Sequence, residues 1–166
     1  MKIEYRPIGT VHTPFRSPDG MPVQASRSEN APGTVVVDEE YREGLMDLDG
    51  FSHIVLVCHL HLSRPFRLKV TPFLDDVPHG LFATRAPARP NPIGVSVVAL
   101  EKIEGTTLYI RGVDLIDGTP LLDIKPWVGE FDEPVETRFG WLEEARERQG
   151  GADARFAGRP PKHSGQ

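Results

Sequence analysis

The chain has 166 residues, 39% hydrophobic and 26% charged, with a formal net charge of −5 at pH 7. That length can bury one core of ordinary domain size, and that balance excludes wholesale disorder. No apolar run approaches the roughly 20 residues of a membrane span, and Met1-Lys2-Ile3-Glu4-Tyr5 lacks the apolar stretch of a secretory signal, so the cytoplasm is the expected compartment and no membrane partner is expected.

The single cysteine, Cys58, excludes a disulfide framework and any cysteine-rich zinc module. Acidity argues against a protein that coats nucleic acid by bulk charge. Locally the sign reverses: between positions 63 and 94, Arg64, Arg67, Lys69, Arg85 and Arg89 stand against Asp75 and Asp76.

Sixteen prolines and sixteen glycines are spread along the chain and cut it into short segments, which suits a β-rich fold with many turns. In chain order, branched and aromatic residues predict strands at 3–11, 34–38, 53–62, 68–72, 80–84, 94–103, 106–114 and 121–127. A short helix is predicted over 40–48. Glu104-Gly105 marks a hairpin and Asp117-Gly118 a second turn. A second helix is predicted over 138–149, with Trp141, Leu142 and Ala145 as its apolar stripe. Residues 150–166 hold almost nothing to bury and read as a flexible tail, with the preceding 1–137 as the main domain. Long helical patterns do not alternate with the strands, so an all-β antiparallel barrel or sandwich is expected rather than a parallel α/β sheet.

Several chemistries lose their usual signal. Neither a G-x-G-x-x-G nor a G-x-x-x-x-G-K-[ST] loop occurs, and there is no G-x-S-x-G. Cys58 falls in an apolar strand, facing inward with Ile54, Leu56 and Leu60 as a core thiol. If 53–62 is a strand, His53, His59 and His61 share its other face. A bare His-x-His pair can hold a metal, but no carboxylate accompanies it in the strand, and the other reading is a mixed face lining a polar cleft.

The densest functional signal is Phe82-Ala83-Thr84-Arg85-Ala86-Pro87-Ala88-Arg89-Pro90-Asn91-Pro92-Ile93-Gly94. Its prolines stiffen the loop and hold two arginines and an asparagine at low entropic cost. The arginine fork suits carboxylate or phosphate. The other reading is a rigid solvated connection. A second signal is the stretch from Gly112 to Pro126, where Asp114, Asp117, Asp123 and Lys125 crowd around one turn and suit hydroxyl or amino groups, or simply cap it. A third piece is the Pro22-Val23-Gln24 loop.

Taken together these pieces resemble the TsaA-like family of TrmO-type tRNA methyltransferases. The resemblance rests on Ile8–Val11, Pro22–Gln24, Gly50–His53, Thr84–Gly94 and Asp114–Pro126, and covers about residues 1–130. It implies a single-sheeted β-barrel, not a Rossmann fold, acting as a homodimer with its cofactor site near the subunit interface. The implied cofactor is S-adenosyl-L-methionine, and the implied substrate is tRNA bearing N6-threonylcarbamoyl-adenosine next to the anticodon, methylated on that N6. Pro22, Gln24, His61, Arg85, Asp117, Gly118, Thr119 and Pro120 would contact the cofactor, with Arg85 pairing the methionine carboxylate.

The Asn91 carbonyl would orient the target N–H, while Arg64, Arg67, Lys69, Arg89 and Lys125 are candidate substrate contacts. No metal ligand is assigned. Val23 stands where family members often carry arginine, so one cationic contact is absent from that loop. Two other readings are a cofactor-binding regulator without catalysis and a metal-dependent small-molecule enzyme built on the three histidines.

Overall fold

The computed structural model describes residues 1–17, 31–72, 74–134 and 136–148. Eight strands carry the β content: β1 (Gly9–His12), β2 (Pro32–Val37), β3 (His53–His59), β4 (Lys69–Val70), β5 (His79–Gly80), β6 (Ile93–Glu104), β7 (Thr107–Arg111) and β8 (Thr119–Pro126). Two short α-helices follow, α1 (Gly129–Asp132) and α2 (Trp141–Arg148). The chain divides into two compact units, one of Met1–Phe66 with Pro87–Asp132, the other of Arg67–Ala86 with the described residues from Glu133 onward.

In the first unit six strands close into an antiparallel barrel in the order β1-β2-β7-β6-β3-β8. Alternation along each strand sorts side chains into an interior and an exterior set. On β3, Ile54, Leu56 and Cys58 point inward and are fully buried, whereas His53 and His59 face out. Val11, Val35, Val37, Val98, Leu108, Ile110 and Leu121 add to the filling, with Leu48, Val113 and Leu115 packed in the same cluster. Each such fully buried aliphatic side chain contributes about 1.5–3 kcal/mol.

Near the middle of β8 a bulge opposite Val57 and Cys58 changes the register. Thr119 and Leu121 face inward before it, and Ile124 packs on the core after it, so Asp123 and Lys125 turn outward beside Val57 and Val55. The registers also place the last residues of β1 and β3 and the first residues of β6 and β8 at one rim: Val11 lies opposite Thr119, His59 opposite Ile93, and Cys58 opposite Leu121.

The second unit is small. Lys69 and Val70 pair with Gly80 and His79, Leu81–Ala83 forms a 3-10 turn, and the buried Leu81 and Ala145 supply its apolar contacts.

The all-β barrel expectation holds, with differences in detail. The first strand covers only the end of 3–11, because its partners β2 and β8 begin pairing at Gly9. The helix expected over 40–48 is two 3-10 segments, Glu39–Leu45 and Leu48–Gly50, separated by Asp47 at φ 64°. The strand expected at 80–84 is mostly the Leu81–Ala83 turn. The expected tail and the Pro22–Gln24 loop lie outside the described residues.

Candidate active site

At the barrel rim the turn before β8 interlocks with the segment leaving β1. Ile116–Thr119 is a tight turn closed by Thr119 N–H donating to the Ile116 carbonyl, 3.2 Å. Gly118 occupies its third position at φ 79°, a left-handed conformation that glycine adopts without Cβ strain. The buried Thr119 hydroxyl donates to the same carbonyl at 2.6 Å. Across the rim, Asp117 N–H donates to the Phe15 carbonyl at 2.7 Å and Gly118 N–H to the Val11 carbonyl at 2.9 Å. Thr13 Oγ1 donates to the Leu115 carbonyl at 2.8 Å and accepts from Phe15 N–H at 3.1 Å.

Asp117 is the charged centre of this arrangement. Its Oδ1 accepts from Thr13 N–H and lies 3.2 Å from His12 Nδ1, while Oδ2 lies 3.7 Å from an Arg16 guanidinium nitrogen. The Thr13 N–H holds the Asp117 carboxyl below its ordinary value against the opposing effect of desolvation, and His12 and Arg16 act in the same direction as Thr13. The rim thus presents a preorganised, ionised carboxylate beside an exposed glycine backbone.

Inside the same rim, Ser96 on β6 donates to Asp114 Oδ1 at 2.7 Å. Burial, and then the Asp114 charge, push the Cys58 thiol up to about 12. The thiolate is the nucleophilic form of cysteine, so Cys58 is an inert core thiol, as the sequence suggested.

A second group lies where β3 ends and β6 begins. Leu60 N–H donates to the Pro92 carbonyl at 2.7 Å, and Ser63 Oγ donates to the Pro87 carbonyl at 2.9 Å. These bonds staple the exposed His61–Arg64 turn to the loop carrying Arg89 and Asn91. The Asn91 backbone carbonyl accepts from Ile93 N–H at 2.8 Å, and its side chain is exposed.

Not every candidate gathers here. Arg85, Arg67 and Lys69 belong to the second unit. Lys125 does not join the rim: it sits six positions along β8 from Thr119, roughly 20 Å at the strand rise, and pairs with Asp123 at 2.7 Å. Nor do the three histidines form one set. His53 and His59 are at opposite ends of β3, and His61 lies beyond the strand. No group of three or more His, Cys, Asp and Glu among the described residues is arranged to hold a metal ion.

Sequence reasoning missed His12, Thr13 and Arg16, whose only signal was a Thr-Pro turn directly after β1. It also did not connect Ser96 to Asp114.

Residues 10–133 match the model of the tRNA-methyltransferase O N-terminal domain. The chain belongs to that family. A probable S-adenosyl-L-methionine-binding protein of Pyrococcus abyssi is 54% identical over 143 residues, covering 86% of this chain and 78% of the relative. The mouse tRNA (adenine(37)-N6)-methyltransferase is 38% identical over 135 residues, covering 77% of this chain but 31% of the mouse protein.

Among solved structures, TrmO from Pseudomonas aeruginosa superposes with a TM-score of 0.73 at 36% identity, covering 85% of this chain and 63% of that one. The TrmO-type barrel is therefore the fold expected from the motifs, and it lacks the Rossmann arrangement. The family model ends at 133, so α2 lies outside it. No helix among the described residues is long and apolar enough to cross a membrane.

Proposed function

We propose that the chain is an S-adenosylmethionine-dependent methyltransferase acting on adenine N6 of tRNA, specifically the N6-threonylcarbamoyl form next to the anticodon. The observation that carries the reading is the rim where the ionised Asp117 and the open Gly118 backbone are interlocked with the β1 exit. The residues present fit such a donor. Asp117 has acceptor capacity left for hydroxyl or amino hydrogens, and a Cβ built on Gly118 would meet nothing within 4 Å, so a ligand can approach this backbone closely. The names of the archaeal and mammalian relatives agree with that donor and that nucleobase.

Bound S-adenosylmethionine supplies an electrophilic methyl group on a sulfonium. The work of this chain is alignment and charge placement, which account for most of the acceleration in a direct displacement. The turn Asp117-Gly118-Thr119-Pro120 and His61 are assigned to the nucleoside part of the donor, together with Pro22 and Gln24. Arg85, exposed and without a partner among the described residues, is assigned to the methionine carboxylate. The Asn91 carboxamide oxygen accepts the target N–H and orients that nitrogen. Arg64, Arg67, Lys69 and Arg89 meet RNA phosphates, and the place of action is the compartment that holds tRNA.

The working form is a homodimer. Ile93, Val95 and Val97 form an apolar stripe on the outer face of β6, with Val95 56% exposed and Val97 44%. The neighbouring Asp123–Lys125 ion pair adds no net charge, so a second copy can face this wall without like-charge repulsion.

The test is methyl transfer from labelled S-adenosylmethionine to bulk tRNA of a strain that makes threonylcarbamoyl-adenosine but lacks its methylase. Label is expected in that tRNA and not in tRNA lacking the carbamoyl group. Donor binding without transfer to either would leave a cofactor-binding regulator.

A further inference from the structure

The second unit contains a chain of contacts that ends at Arg85 and begins in the helix outside the family model. Asp75 anchors it: its side chain is 2% exposed, Oδ1 accepts from Asp76 N–H, and Oδ2 lies 2.9 Å from His79 Nε2. His79 stacks on Trp141 of α2, with ring centroids 4.4 Å apart and planes inclined by 21°. Trp141 Nε1–H then donates to the Ala83 carbonyl at 2.7 Å. Ala83 closes the Leu81–Ala83 turn, whose Leu81 carbonyl accepts from both Thr84 N–H and Thr84 Oγ1. Ala86 N–H reaches back to Thr84 Oγ1 at 3.4 Å. Arg85 is thus the central residue of a small turn held on both flanks, and the fastener on its N-terminal side is an indole fixed by stacking.

We propose that Trp141 is a positioning residue for Arg85: stacked on His79, it pins the Ala83 carbonyl and so aims the Arg85 guanidinium at its anionic ligand. The inference rests on the assignment of Arg85 to the donor's carboxylate. A flexible arginine loses rotamer and backbone freedom on binding, and fixing its backbone beforehand removes part of that cost. Indole is suited to the task because it joins a flat face for stacking to one rigid donor at its edge. The helix that carries it therefore supports Arg85 within the second unit rather than standing as an appendage.

The conservative variant Trp141→Phe keeps the ring over His79 and removes only the N–H. It is expected to raise the Kd for S-adenosylmethionine, measured by calorimetry, about 3–10-fold, and to raise KM for the donor in proportion while kcat stays within twofold. In an Arg85→Ala background the same substitution should change Kd by less than twofold, because the two act as one unit.

His79→Ala, which unstacks the indole without touching its N–H, should weaken binding in the same direction. It also keeps the inference testable if Trp141→Phe fails to fold. Unchanged Kd in Trp141→Phe or, failing that, in His79→Ala, beside a weakened Arg85→Ala, overturns the positioning role alone. A full additional loss in the Arg85→Ala background does the same. Unchanged affinity in Arg85→Ala overturns the assignment of Arg85 and the inference with it.

Discussion

At the scale of single residues, the proposed site divides into groups assigned to hold a ligand and a group assigned to the reacting atom. Arg85→Ala is expected to weaken donor binding about tenfold or more while leaving the melting temperature within a few degrees, since its side chain has no partner to lose among the described residues. Asn91→Ala should instead lower kcat by one to two orders of magnitude with donor affinity nearly unchanged, because an orienting acceptor counts mainly in the transition state. Steady-state kinetics beside calorimetry separate the two, and the reverse pattern would exchange their roles.

Asp117 makes a pH prediction whose sign follows from its bonding. The Thr13 N–H favours the ionised carboxyl and lowers its folded-state value below the unfolded one, so Asp117 stabilises the fold above its ordinary pKa. That contribution is lost as pH falls through the lowered native value. The stability difference between wild type and Asp117→Asn, from urea unfolding, should be constant from pH 7 to about 5 and shrink only below the usual aspartate pKa of about 3.9.

At the scale of elements, legibility followed partner availability. The strand over 94–103 and the hairpin at Glu104-Gly105 were readable because alternation and turn chemistry are local, and β6 with β7 realises both. Residues 3–7 carry the same kind of apolar signal but enter no ladder among the described residues, since β2 and β8 meet β1 from Gly9 onward and only Ile8 before it bonds to Leu121 and Asp38. The segment after Gly80 looked like a strand, yet it curls because Leu81 donates to the Leu68 carbonyl and Thr84 returns to Leu81.

In the site, the Asp117-Gly118 turn was legible from two residues. Its bonds to Thr13, about a hundred positions away, were not, because barrel closure creates them. The turn also supports a stability prediction. Gly118 has open space around its missing Cβ, so Gly118→Ala should cost only the left-handed strain, about 1–2 kcal/mol. Gly118→Asn should cost less, because asparagine tolerates that region; equal losses in denaturant melts would point to a steric role instead.

At the scale of the whole molecule, an acidic chain acting on tRNA as proposed would have to bind that polyanion through local basic residues. The formal charge of −5 excludes attraction by net charge, so affinity should rest on a few phosphate contacts, each contributing roughly −0.7 to −0.9 to the slope of log K against log salt. Four such contacts, Arg64, Arg67, Lys69 and Arg89, predict a slope near −3. Arg64→Ala should weaken tRNA binding and make the slope shallower by about one. Lys125 supplies the control. It lies at the far end of β8 from the Asp117 turn, and its ammonium is engaged by Asp123. Lys125→Ala should therefore leave both affinity and slope unchanged, measured by filter binding across a salt series. A shallower slope in Lys125→Ala together with an unchanged one in Arg64→Ala would move the RNA surface to the opposite end of the barrel. The methyl acceptor would then have to approach the rim from a direction that the present assignment of Asn91 does not serve.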